Sequence, residues 1–209
     1  MYLSIDVGIK NLAYCMYDDT IVEWKVIELC DKTVNANKLN MVDLSKRLFE
    51  ALETLPPRYD LILIENQIGQ NAIRMKALQG MITLYFVSKG NTAIQYWNAT
   101  HKLKMFVQEK TTYAQRKKMG VMVTRQILEE KYKNQLDYFG KHKKKDDLSD
   151  CFLQLLDYMK KENKLENSIS QFLETIHIQV PEKEVEEKEK KVKVKKEKKE
   201  KKEKKIEIV

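Results

Sequence analysis

Cysteine and histidine are scarce in this chain of 209 residues, which holds three of each. Cys15, Cys30 and Cys151 are widely separated and form no C-x-x-C pair, a pattern that points to reduced thiols in an intracellular protein. His101, His142 and His177 do not fall at ligand spacing, so no zinc site can be assembled. Long apolar runs are missing too. None approaches the ~20 residues a helix needs to span a bilayer. Met1 leads directly into Tyr2-Leu3-Ser4-Ile5-Asp6, with neither the basic stretch and apolar core of a signal peptide nor an Arg- and Ser-rich presequence. A soluble intracellular protein without a membrane partner is expected.

Charge, by contrast, is abundant. The hydrophobic share of 43% allows a sizeable core, while 33% charged residues place some segment outside it. That segment runs from Pro181 to Val209, almost entirely Lys and Glu with a few Val or Ile. Its 13 lysines against 9 glutamates carry half of the formal net charge of +8. Such low-complexity sequence lacks the apolar mass to fold, so residues 181–209 are expected to form a disordered or solvated-helical, dispensable tail on a domain of residues 1–180. The remaining charge is mildly positive. It suits a polyanionic partner without establishing one.

Residues 2–7 read as a strand ending at Gly8, and Asn11 to Tyr17 and Thr20 to Leu29 as two more, joined by a turn at Asp18-Asp19. Apolar residues at threes and fours predict a helix over 37–55, stopped by Pro56-Pro57. Asp60 to Glu65 is a nearly continuous apolar run, the mark of a strand buried on both faces. A helix over 70–89 and a strand over 92–96 follow. Residues 110–118 read as a basic loop before a helix over 119–136, and 138–145 as a basic connector into a last helix over 146–161. Residues 101–107 stay unassigned, and 169–180 pack back on the body without a role. The order is that of an α/β domain with a mixed sheet, three antiparallel strands and then parallel ones, flanked by helices.

Acidic residues stand out at three places in the chain. Asp6 and Glu65 end apolar strands, and Asp146, Asp147 and Asp150 open an apolar helix after a Lys-rich loop. A carboxylate beside a buried strand is costly unless it is paired or binds a metal. The i, i+3 spacing sets Asp147 and Asp150 on one helix face, and converging carboxylates suit magnesium, which prefers oxygen ligands. Singly, each has a plainer reading: Asp6 as a strand-end turn residue, Glu65 as a partner for Lys or Arg, Asp146 as an N-cap, Asp147 as a first-turn acid favoured by the helix dipole.

Ser4-Ile5-Asp6-Val7-Gly8-Ile9-Lys10-Asn11-Leu12-Ala13 resembles the first motif of RuvC-like Holliday junction resolvases, in particular their poxviral and fungal mitochondrial branch within the ribonuclease H-like superfamily. Ile64-Glu65-Asn66-Gln67 resembles the second motif, and Lys144-Lys145-Asp146-Asp147-Leu148-Ser149-Asp150 the last. The resemblance implies a ribonuclease H-like fold and a homodimer that cuts four-way junctions symmetrically, using two magnesium ions for which manganese can substitute. By the same resemblance Asp6, Glu65, Asp147 and Asp150 are the catalytic, metal-binding carboxylates. Lys10, Asn11 and Gln67 lie near the scissile phosphate, with Arg74 in the same DNA-facing set. The helix over 70–89 is the family's usual dimer surface, although core packing accounts for most of its apolar stripe. The basic stretches contribute Arg116, Lys117, Lys118, Lys143, Lys144 and Lys145 as candidate backbone contacts, against the alternative of a solvated surface. A viral source fits the missing presequence, with mitochondrial or nuclear work left open.

Rival classes remain. An actin-like ATPase also carries Asp-x-Gly followed by Asn, but it needs a second phosphate loop and a glycine-rich adenosine site, and the chain has only six glycines. A junction-binding protein without cleavage would not need all four carboxylates. Another ribonuclease H-like nuclease, acting on hybrid or branched nucleic acid, stays open because sites and not scaffolds decide function.

Overall fold

The computed structural model describes residues 1–31, 33–69, 72–98, 102–107, 109 and 111–179. The charged tail from Pro181 onward lies outside these, as do Gln70, Asn71, His101 and Lys110. Five strands form one sheet in the order β3-β2-β1-β4-β5. The strands β1 (Tyr2–Val7), β2 (Asn11–Asp18) and β3 (Thr20–Glu28) pair antiparallel. Next to β1, β4 (Leu61–Glu65) and then β5 (Ile94–Trp97) pair parallel. The expected mixed sheet is therefore present. Between β2 and β3 the chain turns on Asp19, whose φ of 55° is a conformation that Asp tolerates better than most residues.

Strand alternation assigns the two faces. Leu3, Ile5, Val7, Leu12, Tyr14, Ile62 and Ile64 point into a buried core shared with α1 (Met41–Glu53) and α2 (Ile73–Ser88). The residues between them, Ser4 and Asp6 on β1 and Leu63 and Glu65 on β4, must face the other side. There α5 (Lys145–Lys161) packs on β1, β2, β3 and β4, backed by α3 (Tyr113–Lys131) and α4 (Lys133–Lys141). α6 (Asn167–Thr175) buries Ile169 and Leu173, and the Ile178 amide donates to the Phe106 carbonyl at 3.1 Å. Residues 169–178 do pack back, as expected.

Three local expectations are corrected. Residues 113–118 are helix and not loop, because a capping box between Thr112 and Gln115 starts α3 there and Gln115 is buried. The connector expected at 138–145 is helical through Lys141, since Phe139 is buried and stacks on Trp24 with centroids 5.4 Å apart. Asp146 is not the N-cap of α5: Lys144 occupies that position, and Asp146 sits in the first turn, bonded to Lys117.

Candidate active site

Strand register builds the site. Ser4 lies opposite Leu63 and Ile5 opposite Ile64, so Asp6 and Glu65 follow side by side at the carboxyl ends of two parallel strands. That end of an α/β sheet is where ligands usually bind. Gly8 lets the chain turn away tightly after Asp6, because a Cβ there would sit 2.5 Å from the Asn11 carbonyl oxygen.

The face of α5 that meets Asp6 is fixed from below. Gln154 Nε2 donates to Ser4 Oγ at 3.0 Å and to the Ile5 carbonyl at 3.2 Å, both buried, which pins the helix to β1. Trp24 Nε1 donates to the Leu148 carbonyl at 3.0 Å and holds the first turns. With α5 so placed, Asp147 and Asp150 reach the strand ends, and a cavity of about 600 Å³ is lined by Asp6, Glu65, Asp147 and Asp150 together. Gln67, Lys102, Tyr113, Arg116 and Lys117 line it as well.

Lys102 was not singled out by its sequence context, yet it occupies the centre of the charge. Its ammonium is 2.7 Å from Asp150 Oδ1 and 3.7 Å from Glu65 Oε1, with its side chain 10% exposed. Burial works to lower its pKa, but Asp150, Asp6 and Glu65 together outweigh that and raise it, so the amine stays protonated. Asp6 is pushed well above the usual carboxylate range, by burial first and then by the charge of Glu65. Burial also raises Asp150, against the pull of Lys102. Asp147 is raised by burial and by neighbouring Asp146, while Lys144 and Lys117 oppose the shift. For Asp146 burial is outweighed by the bond from Lys117, and its pKa falls.

Glu65 has a second tether. Gln67 Nε2 donates to Glu65 Oε2 at 2.7 Å, and the Gln67 amide donates to Oε1 of buried Gln79 on α2 at 2.9 Å. Neither Gln79 nor Lys102 carried a pattern visible in sequence. One is a polar residue inside an apolar helix, the other lies in a segment with no period.

The other sequence candidates divide into three groups. Gln67, Arg116 and Lys117 line the cavity. Asn11 Nδ2 and Lys144 Nζ each reach Asp147 Oδ2 at 3.5 Å. Lys10, Arg74, Lys118, Lys143 and Lys145 do not line it: Arg74 is bonded to the Leu39 carbonyl and Lys145 to the His142 carbonyl.

Among the described residues no three acidic, histidine or cysteine side chains are gathered in a geometry that could hold one ion. The carboxylates instead form two neighbourhoods on one cavity, Asp6, Glu65 and Asp150 around Lys102, and Asp147 beside Asn11, Lys117 and Lys144. The donor chemistry nonetheless fits an oxygen-preferring divalent cation. Buried Asn11 Oδ1 has no hydrogen-bond partner among the described residues, while its Nδ2 faces Asp147.

The family described as Poxvirus A22 protein matches this chain over residues 1–167. An uncharacterised protein of Acanthamoeba polyphaga mimivirus is 26% identical over 148 residues, 59% of this chain and 35% of the relative, so the chain spans about a third of that protein's length. Among solved structures, the fowlpox virus Holliday junction resolvase superposes with a TM-score of 0.55 at 21% identity, covering 77% of this chain and 98% of that one. RuvC of Thermus thermophilus, in complex with a Holliday junction substrate, gives a TM-score of 0.47 at 16% identity, covering 77% and 95%. The fowlpox superposition bears out the expected ribonuclease H-like fold.

Proposed function

This chain belongs to the Poxvirus A22 protein family, and from that premise we propose that it is a structure-selective DNA endonuclease that resolves four-way junctions by metal-dependent phosphodiester hydrolysis. The observation that carries the reading is the convergence of Asp6, Glu65, Asp147 and Asp150, from two strand ends and one helix, on a cavity edged by Arg116 and Lys117. Structural ion pairing alone does not account for the arrangement, because Lys102 offers one positive charge to three carboxylates and Asp6 is left in an environment that opposes its ionisation.

Asp6, Glu65, Asp147 and Asp150 would hold magnesium, or manganese in its place, an all-oxygen set that suits either ion. When bound, a pair of such ions supplies an activated water and neutralises charge on the leaving oxygen. The chain's own contribution is geometry. Gln67 keeps Glu65 in one rotamer, and Gln154 fixes the height of Asp150 above the sheet. Lys102, Arg116 and Lys117 bring positive charge to the same cavity, where charge on a phosphate grows during displacement. Lys10, Arg74, Lys118, Lys143 and Lys145 serve the DNA backbone farther out in this reading.

Two symmetric cuts call for a twofold dimer. Supporting α2 as the contact, the helix is apolar on more than its buried side: Leu78, Ile82 and Phe86 enter the core, while Ile73, Leu84 and Val87 are exposed. The family and the mimivirus relative support a viral protein at work in the infected cell. Among the described residues no helix is long and apolar enough to cross a membrane.

Substrate choice is the test. In magnesium the protein is expected to cut a synthetic four-way junction and to leave a linear duplex and an RNA–DNA hybrid of the same sequence intact. Faster cleavage of the hybrid would make it a ribonuclease H-type enzyme, and tight junction binding with no cleavage in either metal would make it a binding protein.

A further inference from the structure

Tyr113 stands where the mechanism has no use for it. It is the first residue of α3, lines the same cavity as the four carboxylates, and is 66% exposed. An exposed aromatic ring on a flexible loop would be unremarkable. This one is on a fixed mount: Thr112 and Gln115 close a capping box around the helix start, and Gln115 is buried. One turn along, the Lys117 ammonium lies over the ring, 5.4 Å from its centroid. Lys117 is held there by Asp146, so the cation stays on the ring, and the exposure of the residue leaves ring surface open to a ligand. Arg116 is fixed by its bond to the Thr111 carbonyl at 2.8 Å and lines the same cavity. Together these supply a π-surface on a capped helix start, a cation against it and a second cation on the same cavity, next to the carboxylates proposed to cut.

We propose that Tyr113, backed by Lys117 and with Arg116 on the same cavity, is a stacking subsite for an unpaired nucleobase next to the scissile phosphate. This rests on the nuclease reading above and deepens it. A four-way junction offers bases at its branch point that can leave their stack, whereas a linear duplex does not give one up without a cost of unstacking. An aromatic platform accepts any base, because every base has a π-face. Tyr113 thus contributes to the choice of junction over duplex without reading sequence.

The test uses the full chain, in EDTA so that DNA stays uncut, and a four-way junction carrying 2-aminopurine in turn at each position flanking the branch point. Wild type is expected to change the fluorescence at one position, and Tyr113→Phe to do the same. Tyr113→Ala should lose that signal and bind the junction about 5- to 150-fold more weakly, the loss expected from one base–aromatic stack, with duplex affinity and melting temperature unchanged. If Tyr113→Ala binds the junction and perturbs the probe as wild type does, the subsite is overturned while the nuclease reading stands. A Tyr113→Phe variant that behaves like Tyr113→Ala would assign the effect to the hydroxyl and overturn stacking. Failure of wild type to bind junctions at all would remove the nuclease reading, and the subsite with it.

Discussion

Replacing Lys102 by methionine is expected to destabilise the metal-free protein by about 3–5 kcal/mol, the usual consequence of deleting one partner from a buried charge pair. The Lys102 ammonium stands 2.7 Å from Asp150 and 3.7 Å from Glu65, with all three side chains largely withdrawn from water. Methionine fills similar volume and supplies no charge, so Asp6, Glu65 and Asp150 are left to repel one another. In a domain of this size the melting temperature in EDTA should fall by on the order of 10 °C. The pH dependence follows from the direction of the shift. The pKa of Lys102 is raised, so its stabilisation is complete at neutral pH and is lost only as pH climbs through that raised value in the alkaline range. Towards acid the deficit of the variant shrinks as the carboxylates protonate. Magnesium should recover more stability in the variant than in wild type, because an ion bound to the folded state alone stabilises it by mass action and here meets uncompensated carboxylates. Thermal melts in EDTA and in magnesium check this. Equal melting temperatures for variant and wild type in EDTA would show that the pair carries no such weight.

The opposite balance is expected at Asp6. Asp6→Asn should reduce cleavage by more than the ~10–100-fold typical of losing a residue that only orients a metal ligand, while the melting temperature in EDTA stays the same or rises. Burial and the adjacent Glu65 hold the Asp6 pKa well above its ordinary value, so its ionised form costs the folded state stability. That cost is absent below the unfolded carboxylate pKa, grows as pH rises, and is complete above the folded value. The variant's advantage should therefore be largest at neutral and alkaline pH and disappear in acid. A variant that melts lower than wild type at pH 8 would show that Asp6 is a structural residue. A site that is destabilising when empty is the ordinary price of function.

Much of this site is written in local sequence. The apolar runs ending at Asp6 and Glu65 predict strands, and the acids opening the last helix predict a shared helix face. What no local pattern contains is the register that sets Asp6 beside Glu65, since that depends on β1 and β4 pairing parallel across more than fifty intervening residues. Lys102 escapes for a different reason: it lies in a turn among Leu103 and Phe106, where no period marks which side chain points inward. The first turns of α3 are hidden because their inward residue is Gln115, polar and buried through a capping box and not through an apolar stripe. α4 reads as a basic connector because its anchor is the single ring of Phe139 stacked on Trp24, a residue more than one hundred positions away. Helix boundaries were likewise set by caps that bond to the backbone, as with Asn40, whose side chain accepts from the Val42 and Asp43 amides at the start of α1.

The central claim, that one cavity with four carboxylates cuts junctions in a metal-dependent way, is tested most directly by mapping cleavage of a mobile four-way junction with magnesium or EDTA, in wild type and Asp147→Asn. Paired nicks at symmetric positions in opposing arms, abolished by EDTA and by the substitution while junction binding persists, are predicted. Cleavage that survives EDTA, or that Asp147→Asn performs at the wild-type rate, would contradict the account.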